Sequence, residues 1–353
     1  MKVGILTFHY AYNYGAALQA YGLQKALQEL GFKPSIIDYR SLPIMAHNRG
    51  LGILSGRFLS VIKMRSRFKT FQEDHMLLSK RLYNAKAIIR ETKDYKALIV
   101  GSDQVWNTNA TNGDTIYFLD IPLSKHIKKI SYAACFGEEE INKSSKQHIS
   151  RYLSNFDFIS VRNMMSANIV SKYHGTMPKV VLDPTVLTDF TLVTSKIISM
   201  TPYILVYALH RGKDEKKMTQ LVNEAKKTIK LPVYSISQRW DFPIADCHIR
   251  NIGPSEWLTY FEQAAFIITD SFHGLLFALK YQKPFMVSAL NNKANRIIEI
   301  VNKYTLSDRI ILNDADMPKN EIYKDEIDYS KISQNMDRDV QESREFLLRA
   351  LSA

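Results

Sequence analysis

Residues 266–279 have the sequence FIITDSFHGLLFAL, in which a polar hexapeptide, TDSFHG, interrupts an apolar run. The residues before the hexapeptide favour a short buried strand, and those after it resume with helical character. In a parallel α/β sheet such a junction lies at the carboxyl ends of the strands, where ligands bind, and the first turn of the helix offers unpaired N–H groups to an anion. His273 therefore stands where chemistry on a phosphorylated or carboxylated substrate could use it.

Short apolar strands and amphipathic helices alternate along the whole chain. Near the amino terminus, a strand over 2–6, a helix over 16–30 and a strand over 34–39 make one βαβ unit, and the alternation starts again at Tyr203. This pattern predicts an α/β fold of two Rossmann-like lobes that face each other across a central cleft. The expected division is residues 1–190 for the first lobe, residues 201–330 for the second, and a helix over 331–353 that packs back on the first lobe.

The chain carries 47 Lys and Arg residues against 35 Asp and Glu residues, a formal charge of +12 over 353 residues. This excess favours an anionic partner, such as a phosphorylated metabolite, a nucleic acid or an anionic membrane surface, without choosing among them. Residues 40–72 contain basic residues interleaved with apolar ones and no acidic residue. This basic segment is either a solvated surface or a flap that meets an anionic substrate or lipid headgroups.

The two cysteines, Cys135 and Cys247, stand outside any metal-ligand or redox spacing, which favours a reducing compartment. No uninterrupted apolar run approaches the ~18 residues that a membrane span needs, and the amino terminus lacks the pattern of a signal peptide. We therefore expect a cytoplasmic protein, at most peripheral at the inner face of a membrane. The spacing of its carboxylates, histidines and cysteines predicts no required metal.

An ordered set of short motifs resembles the polysaccharide pyruvyl transferase family. The motifs occur in the family's order and lie at residues 5–20, 100–107, 131–134, 160–162, 182–185 and 269–274. The resemblance implies a two-lobed architecture of the GT-B glycosyltransferase type. It also implies transfer of an enolpyruvyl-derived group from phosphoenolpyruvate, with no further cofactor, to a sugar of a surface polysaccharide or its lipid-linked precursor, giving a pyruvate ketal. The first lobe would then bind the glycan acceptor and the second the anionic donor.

Two residues would act on the donor in such an enzyme. The resemblance assigns the role of general acid to His273, because an ordinary histidine pKa of ~6.5 suits proton transfer near neutral pH. It assigns Arg162 to the phosphate or carboxylate of the donor, which a guanidinium can hold with two hydrogen bonds. The structural alternatives are a histidine that satisfies backbone groups at a helix start and an arginine in a surface ion pair.

The segment around His273 departs from the family in one place. Many members have a second arginine two residues before the histidine, where this chain has Ser271. Ser271 and the backbone amides near Gly274 would then hold the anion by hydrogen bonds and the helix dipole. Asp270, three residues before His273, either orients the imidazole or caps the helix.

Two loops of the first lobe contain further candidates. In one, Gly15 would let the backbone approach a ligand that Asn13 hydrogen-bonds, although a tight turn with an N-cap explains both residues. In the other, Asp103 would accept a proton from the acceptor or orient His273, its structural alternative being a cap of the next turn. Three neighbours of Asp103 are expected to border the same cleft, the last of them as a flat face for a sugar ring: Ser102, Gln104 and Trp106.

Two other functions fit parts of the sequence. A nucleotide-sugar glycosyltransferase on the same two-lobed scaffold is the first alternative, because Ser271 replaces the family's arginine and such enzymes also bind donor phosphates at a helix start. A nucleic-acid-binding protein is the second, drawn from the charge of +12, but the chain lacks a recognisable reader motif.

Overall fold

The chain divides into two compact units, each built on a six-stranded parallel sheet. The computed structural model describes residues 1–41, 58–139, 141, 146–196, 201–210, 213–237, 240–290, 294–313, 318 and 320–353. The first unit comprises Met1–Phe58, Phe68–Thr188 and Asp337–Ala353, and the second comprises Leu59–Arg67 and Asp189–Met336. The predicted α/β class with two Rossmann-like lobes is confirmed.

The first unit contains six strands and most of five helices. The strands are β1 (Lys2–Leu6), β2 (Lys33–Ile36), β3 (Ala97–Val100), β4 (Lys128–Ala134), β5 (Phe158–Val161) and β6 (Lys179–Val180), and the helices are α1 (Tyr14–Glu29), α2 (Phe58–His75), α3 (Ala85–Glu91), α4 (Ile149–Leu153) and α5 (Met164–His174). The strand order is β2-β1-β3-β4-β5-β6. All four residues of β3, ALIV, are buried, as expected of a parallel strand covered on both faces.

The second unit repeats this architecture. Its strands are β7 (Ile204–Tyr207), β8 (Val233–Ile236), β9 (Cys247–Ile249), β10 (Phe266–Thr269), β11 (Phe285–Ser288) and β12 (Ile310–Ile311), and its helices are α6 (Lys213–Ile229), α7 (Pro254–Gln263), α8 (Phe272–Lys280), α9 (Asn295–Lys303) and the start of α10 (Tyr329–Ser352). The strand order is β12-β11-β10-β7-β8-β9. Apolar residues of α6, among them Met218 and Leu221, share a core with Val206 of β7 and Ile268 of β10.

Both sheets contain a point at which the direction of the strand connections reverses. In the first sheet it lies between β1 and β3, and in the second between β7 and β10. At such a switch point the loops leave neighbouring strands toward opposite faces of the sheet, and a crevice opens at the carboxyl ends of the strands. The loops after β1, β3, β7 and β10 are therefore the places where ligand-binding side chains are expected.

The boundaries of the units differ from the predicted ones in the basic segment, residues 40–72. Residues 42–57 of this segment lie outside the described residues. Its next part, residues 59–67, groups with the second unit. The reason is visible in its polar contacts, since Arg67 forms an ion pair with Glu256 at the start of α7.

The last helix, α10, passes from the second unit to the first at Asp337. Beyond that residue it is held by polar contacts with first-unit elements: Ser343 Oγ accepts a hydrogen bond from the Leu182 amide at 3.0 Å, and Glu342 forms an ion pair with Lys179. Among the helices that the structure describes, none combines the length and the apolar character needed to cross a membrane.

Candidate functional site

The predicted site residues fall into two groups, one in each unit. Those of the first unit follow β1, β3 and β5, and those of the second unit follow β10. The first group comprises Asn13, Gly15, Ser102, Asp103, Gln104, Trp106 and Arg162, and the second comprises Ser271, His273 and Gly274.

Arg162, the first residue after β5, has a buried side chain that is only 1% exposed. One terminal nitrogen donates to Asp183 Oδ2 at 2.8 Å, and the other lies 3.5 Å from Asp103 Oδ1. Burial alone would lower the pKa of this guanidinium, but Cys135, Asp183 and Asp103 together raise it above the ordinary value. Arg162 is therefore a charged group held between two carboxylates.

Asp183 organises this cluster from the start of a short 3-10 helix, Pro184–Val186. Its Oδ2 accepts hydrogen bonds from Arg162 and from the Ser102 hydroxyl, the latter at 3.1 Å. Its Oδ1 accepts from the amide and the hydroxyl of Thr185 at 3.1 and 2.8 Å. One buried carboxylate thus connects the loop after β3 with the end of β5, a contact that the sequence motif around Pro184 did not indicate.

Asp103 is the member of the cluster that solvent can reach, with 16% of its side chain exposed. Its backbone carbonyl accepts a hydrogen bond from the Cys135 amide at 3.0 Å, which ties the loop to the end of β4. Its φ of +79° lies in the left-handed region, where residues other than glycine are uncommon. The loop therefore holds the Asp103 carboxylate at the carboxyl edge of the sheet, beside Arg162.

Two neighbours of Asp103 do not border a cleft as predicted. Trp106 is completely buried; its ring stacks on Phe118 with centroids 5.6 Å apart, and its Nε1 donates to the Tyr117 carbonyl at 3.1 Å. Ser102 is also completely buried. These are corrections to the sequence interpretation, because a side chain inside the core offers no face to a sugar. Gln104 remains half-buried in the loop, and its Oε1 accepts from Asn107 at 3.0 Å.

The loop after β1 contains an N-cap, which is the structural alternative to a ligand-binding role for Asn13 and Gly15. Asn13 is exposed and caps α1, since its Oδ1 accepts a hydrogen bond from the Ala16 amide at 3.0 Å. Gly15 is buried in the first turn of the same helix. An N-cap explains the residue type at position 13 without a ligand.

In the second unit, Ser271 caps α8. Its hydroxyl accepts a hydrogen bond from the Gly274 amide at 3.2 Å, and its own amide donates to Thr269 Oγ1 at 3.1 Å. The Gly274 amide, predicted to hold an anion, is thus already engaged by the serine. A glycine is required at position 274, because a Cβ there would lie 2.4 Å from Thr269 Oγ1. The close approach of α8 to β10 places the first turn of the helix directly at the sheet edge.

His273, the second residue of α8, is half-buried at this edge. Its ring meets Phe272 edge-on with centroids 5.3 Å apart. The same ring also contacts a cation, since the Arg296 guanidinium lies 5.3 Å from the centroid of the Phe272 ring. The turn that carries His273 therefore has a positive charge close to it despite Ser271.

Asp270 is engaged with a residue that the sequence interpretation missed, His210. One carboxylate oxygen accepts the Leu209 amide at 2.7 Å, and the other accepts both the amide and Nδ1 of His210 at 2.9 Å. His210 follows β7, the strand next to β10, by three residues. The sequence signal that points to His210 is its position just after the first strand of the second unit.

Comparisons with known proteins extend these observations. A family model described as polysaccharide pyruvyl transferase matches residues 13–292. A search of curated proteins found no match.

In the described part of the chain, no group of three or more histidine, cysteine, aspartate or glutamate side chains could hold a metal ion.

Solved structures resemble the chain over nearly its whole length. A UDP-GlcNAc 2-epimerase from Methanocaldococcus jannaschii is 12% identical, with a TM-score of 0.51, over 100% of this chain and 99% of that one. A protein from Listeria monocytogenes assigned as a UDP-N-acetylglucosamine 2-epimerase is 12% identical, with a TM-score of 0.53, over 98% of this chain and 90% of that one. At this level of identity the likeness shows the fold alone, which is of the GT-B type with two Rossmann-like lobes.

Proposed function

The chain belongs to the polysaccharide pyruvyl transferase family, and from this membership we propose that it transfers an enolpyruvyl-derived group from phosphoenolpyruvate to a sugar. The acceptor is a surface polysaccharide or its lipid-linked precursor, and the product is a pyruvate ketal. The observation that carries the proposal is the place of His273, at the first turn of α8 and beside the switch point between β7 and β10.

The reaction needs a proton donor at one carbon of the substrate. His273 gives a proton to the methylene carbon of phosphoenolpyruvate, which becomes the methyl group and leaves positive charge on C2. A sugar hydroxyl forms a bond to C2, the bond from C2 to the phosphate oxygen breaks with its electron pair, and inorganic phosphate leaves. A second hydroxyl of the sugar then adds to C2 and closes the ketal. Two hydroxyl protons are released, one for each new C–O bond.

The charges on the donor need partners near His273. Arg296, at the start of α9, stands against Phe272 and supplies a cation to this part of the second unit. Arg309 has a different role, because its side chain is 3% exposed and donates to the carbonyls of Ile322 and Asp325 at 2.8 and 3.0 Å. We therefore assign Arg296 rather than Arg309 to the anionic donor.

Within the first unit, we propose a role for the cluster of Arg162, Asp183 and Asp103. The contact of 2.8 Å between Arg162 and Asp183 is a firm hydrogen bond, whereas that of 3.5 Å between Arg162 and Asp103 is at the limit for one. With only 1% of its side chain exposed, Arg162 is as inaccessible as Arg309, so its proposed role is to hold Asp103 in place and not to bind the donor directly. Asp103, with 16% of its side chain exposed, is the proposed carboxylate that accepts a hydroxyl proton of the acceptor.

Phosphoenolpyruvate turnover tests the proposal. The purified chain is incubated with phosphoenolpyruvate and a panel of p-nitrophenyl glycosides, and both released phosphate and the methyl signal of the ketal are measured. His273→Gln should lower kcat by about 10²–10⁴-fold, the range for loss of a general acid. The matched control is His248→Gln, since His248 is a half-buried histidine of the same unit whose Nδ1 meets Ser235.

The alternative donor gives a different result in a binding experiment. A ligand that binds the folded state raises the melting temperature. Stabilisation by phosphoenolpyruvate, with none by nucleoside diphosphates, is expected. The opposite pattern, with no phosphate released from phosphoenolpyruvate, would favour a nucleotide-sugar glycosyltransferase, in keeping with Ser271 at the helix start.

A further inference from the structure

The described residues contain two pairs of a histidine with an aspartate, and they differ in exposure. His9 meets Asp38 at 2.8 Å, but its side chain is 0% exposed. His210 meets Asp270 at 2.9 Å, and 38% of its side chain is exposed while that of Asp270 is 1% exposed. Only the second pair combines a buried, fixed carboxylate with an imidazole that a substrate can reach.

The carboxylate of Asp270 fixes the imidazole and its loop at the same time. It accepts the backbone amides of Leu209 and His210 as well as His210 Nδ1, so the backbone and the ring have a common anchor. An ionised carboxylate only accepts hydrogen bonds, so Nδ1 carries a hydrogen and Nε2 is the ring atom that can take a proton. The negative charge next to the ring also stabilises the cation that forms when it does.

The position of the pair in the fold relates it to His273. β7 and β10 are adjacent and parallel, with Tyr207 paired to Thr269 at their carboxyl ends. His210 leaves the end of β7, and Asp270 and His273 leave the end of β10. The two histidines thus come from the two strands that flank the switch point, and Asp270 joins their loops.

We propose that His210 is the general base that removes the first hydroxyl proton from the acceptor sugar, with Asp270 as its positioning residue. This inference rests on the proposed function. As the hydroxyl oxygen forms its bond to C2 of the donor, its proton moves to His210 Nε2. The imidazolium then gives that proton to the phosphate, which leaves with the electron pair of the broken C2–O bond. His273 and His210 are in this way the acid and the base of the addition.

Two kinds of measurement test the assignment. His210→Gln should lower kcat for phosphate release by about 10²–10⁴-fold, as expected for a general base, and should leave the KM for phosphoenolpyruvate within about twofold. The control His248→Gln should keep the kcat of the unmodified chain. Long-range ¹H–¹⁵N spectra of histidine-labelled protein should show His210 with its hydrogen on Nδ1, and Asp270→Asn should shift that signal.

The outcomes separate this inference from the function on which it rests. In one outcome, the unmodified chain releases phosphate and His210→Gln keeps at least a third of the kcat of the unmodified chain. This result would overturn the role of His210 as the base and leave the proposed function intact. Failure of the unmodified chain to use phosphoenolpyruvate with any glycoside of the panel would overturn both. A His210 ring with its hydrogen on Nε2 would overturn the role of Asp270, and this readout is independent of turnover.

Discussion

Arg162 donates to Asp183 at 2.8 Å, and the two side chains are 1% and 0% exposed. An ion pair this deeply buried has lost its hydration, so each charge depends on the other and on the neutral donors around it. Here those donors are the hydroxyls of Ser102 and Thr185. The pair holds the end of β5 against the short helix that follows β6. Because Asp183 also accepts from Ser102, the pair stabilises the loop that carries Asp103.

Breaking this pair should destabilise the first unit strongly. Asp183→Asn leaves the Arg162 charge without its principal partner, and the free energy of unfolding should fall by about 3–5 kcal/mol. Urea unfolding followed by circular dichroism measures the change. The control is Glu73→Gln, which removes the exposed pair of Lys69 and Glu73 on α2 and should cost about 0.5 kcal/mol or less. Equal losses in the two variants would contradict the role of Asp183.

Acid should destabilise the first unit through Asp38. Burial alone would raise the pKa of this carboxyl, but hydrogen bonds from His9 and Arg40 hold the pKa well below its ordinary value of about 4. A carboxyl with a lower pKa in the folded state stabilises the fold above the unfolded value, and this contribution is lost as the pH falls below it. Unfolding free energies measured from pH 5 to pH 2.5 should therefore fall more steeply in the unmodified chain than in Asp38→Asn. Parallel curves would refute the assignment.

The cap of α8 should matter for catalysis as well as for stability. Ser271→Ala removes the acceptor of the Gly274 amide and should cost about 1 kcal/mol of stability. Because the same turn carries His273, kcat should fall too. Asn84→Ala removes an equivalent cap from α3, where Asn84 accepts the Ala87 amide at 3.0 Å. Thermal unfolding should show similar losses in the two variants, with kcat lowered only in the first; an unchanged kcat in both would argue against the coupling.

Arg296 should set the affinity for the anionic donor. Loss of one charge-assisted hydrogen bond is worth about 1.5–3 kcal/mol, so Arg296→Gln should raise the KM for phosphoenolpyruvate by about 10-fold or more with little change in kcat. Lys303→Gln, a change of an exposed cation in the last turn of the same helix, is the control for net charge. Steady-state kinetics at fixed ionic strength distinguish the two. Equal KM values would remove Arg296 from the donor site.

The strand and helix around His273 were predictable because their signals are local. The apolar residues before the polar hexapeptide predict a short buried strand, and the structure has it at Phe266–Thr269. The pattern predicts helical character after the hexapeptide, whereas the helix begins within it, at Phe272, because the Ser271 hydroxyl caps it. Periodicity locates an element well, whereas its first residue depends on which side chain satisfies the free amides.

Trp106 shows where local signals fail. A tryptophan in a polar loop after a buried strand suggested a flat face for a sugar, yet the ring lies in the core against Phe118. Neighbouring residues in the chain do not specify the direction of a side chain outside a regular helix or strand. The direction is decided by the area that the indole buries and by a carbonyl for its N–H. The carbonyl is that of Tyr117, 11 residues along the chain, and the packing includes the rings of Phe136 and Phe156.

The sequence by itself determined the α/β class, the alternation of strands and helices, the family and the place of His273 at a strand-to-helix junction. Each of these depends on patterns within a few residues or on the order of short motifs. Tertiary structure alone decided the partners: Asp183 for Arg162, and Asp270 for His210, which is 60 residues away. Parallel strands bring their carboxyl ends together regardless of separation along the chain, so the charges that meet there are set by strand order and not by sequence spacing.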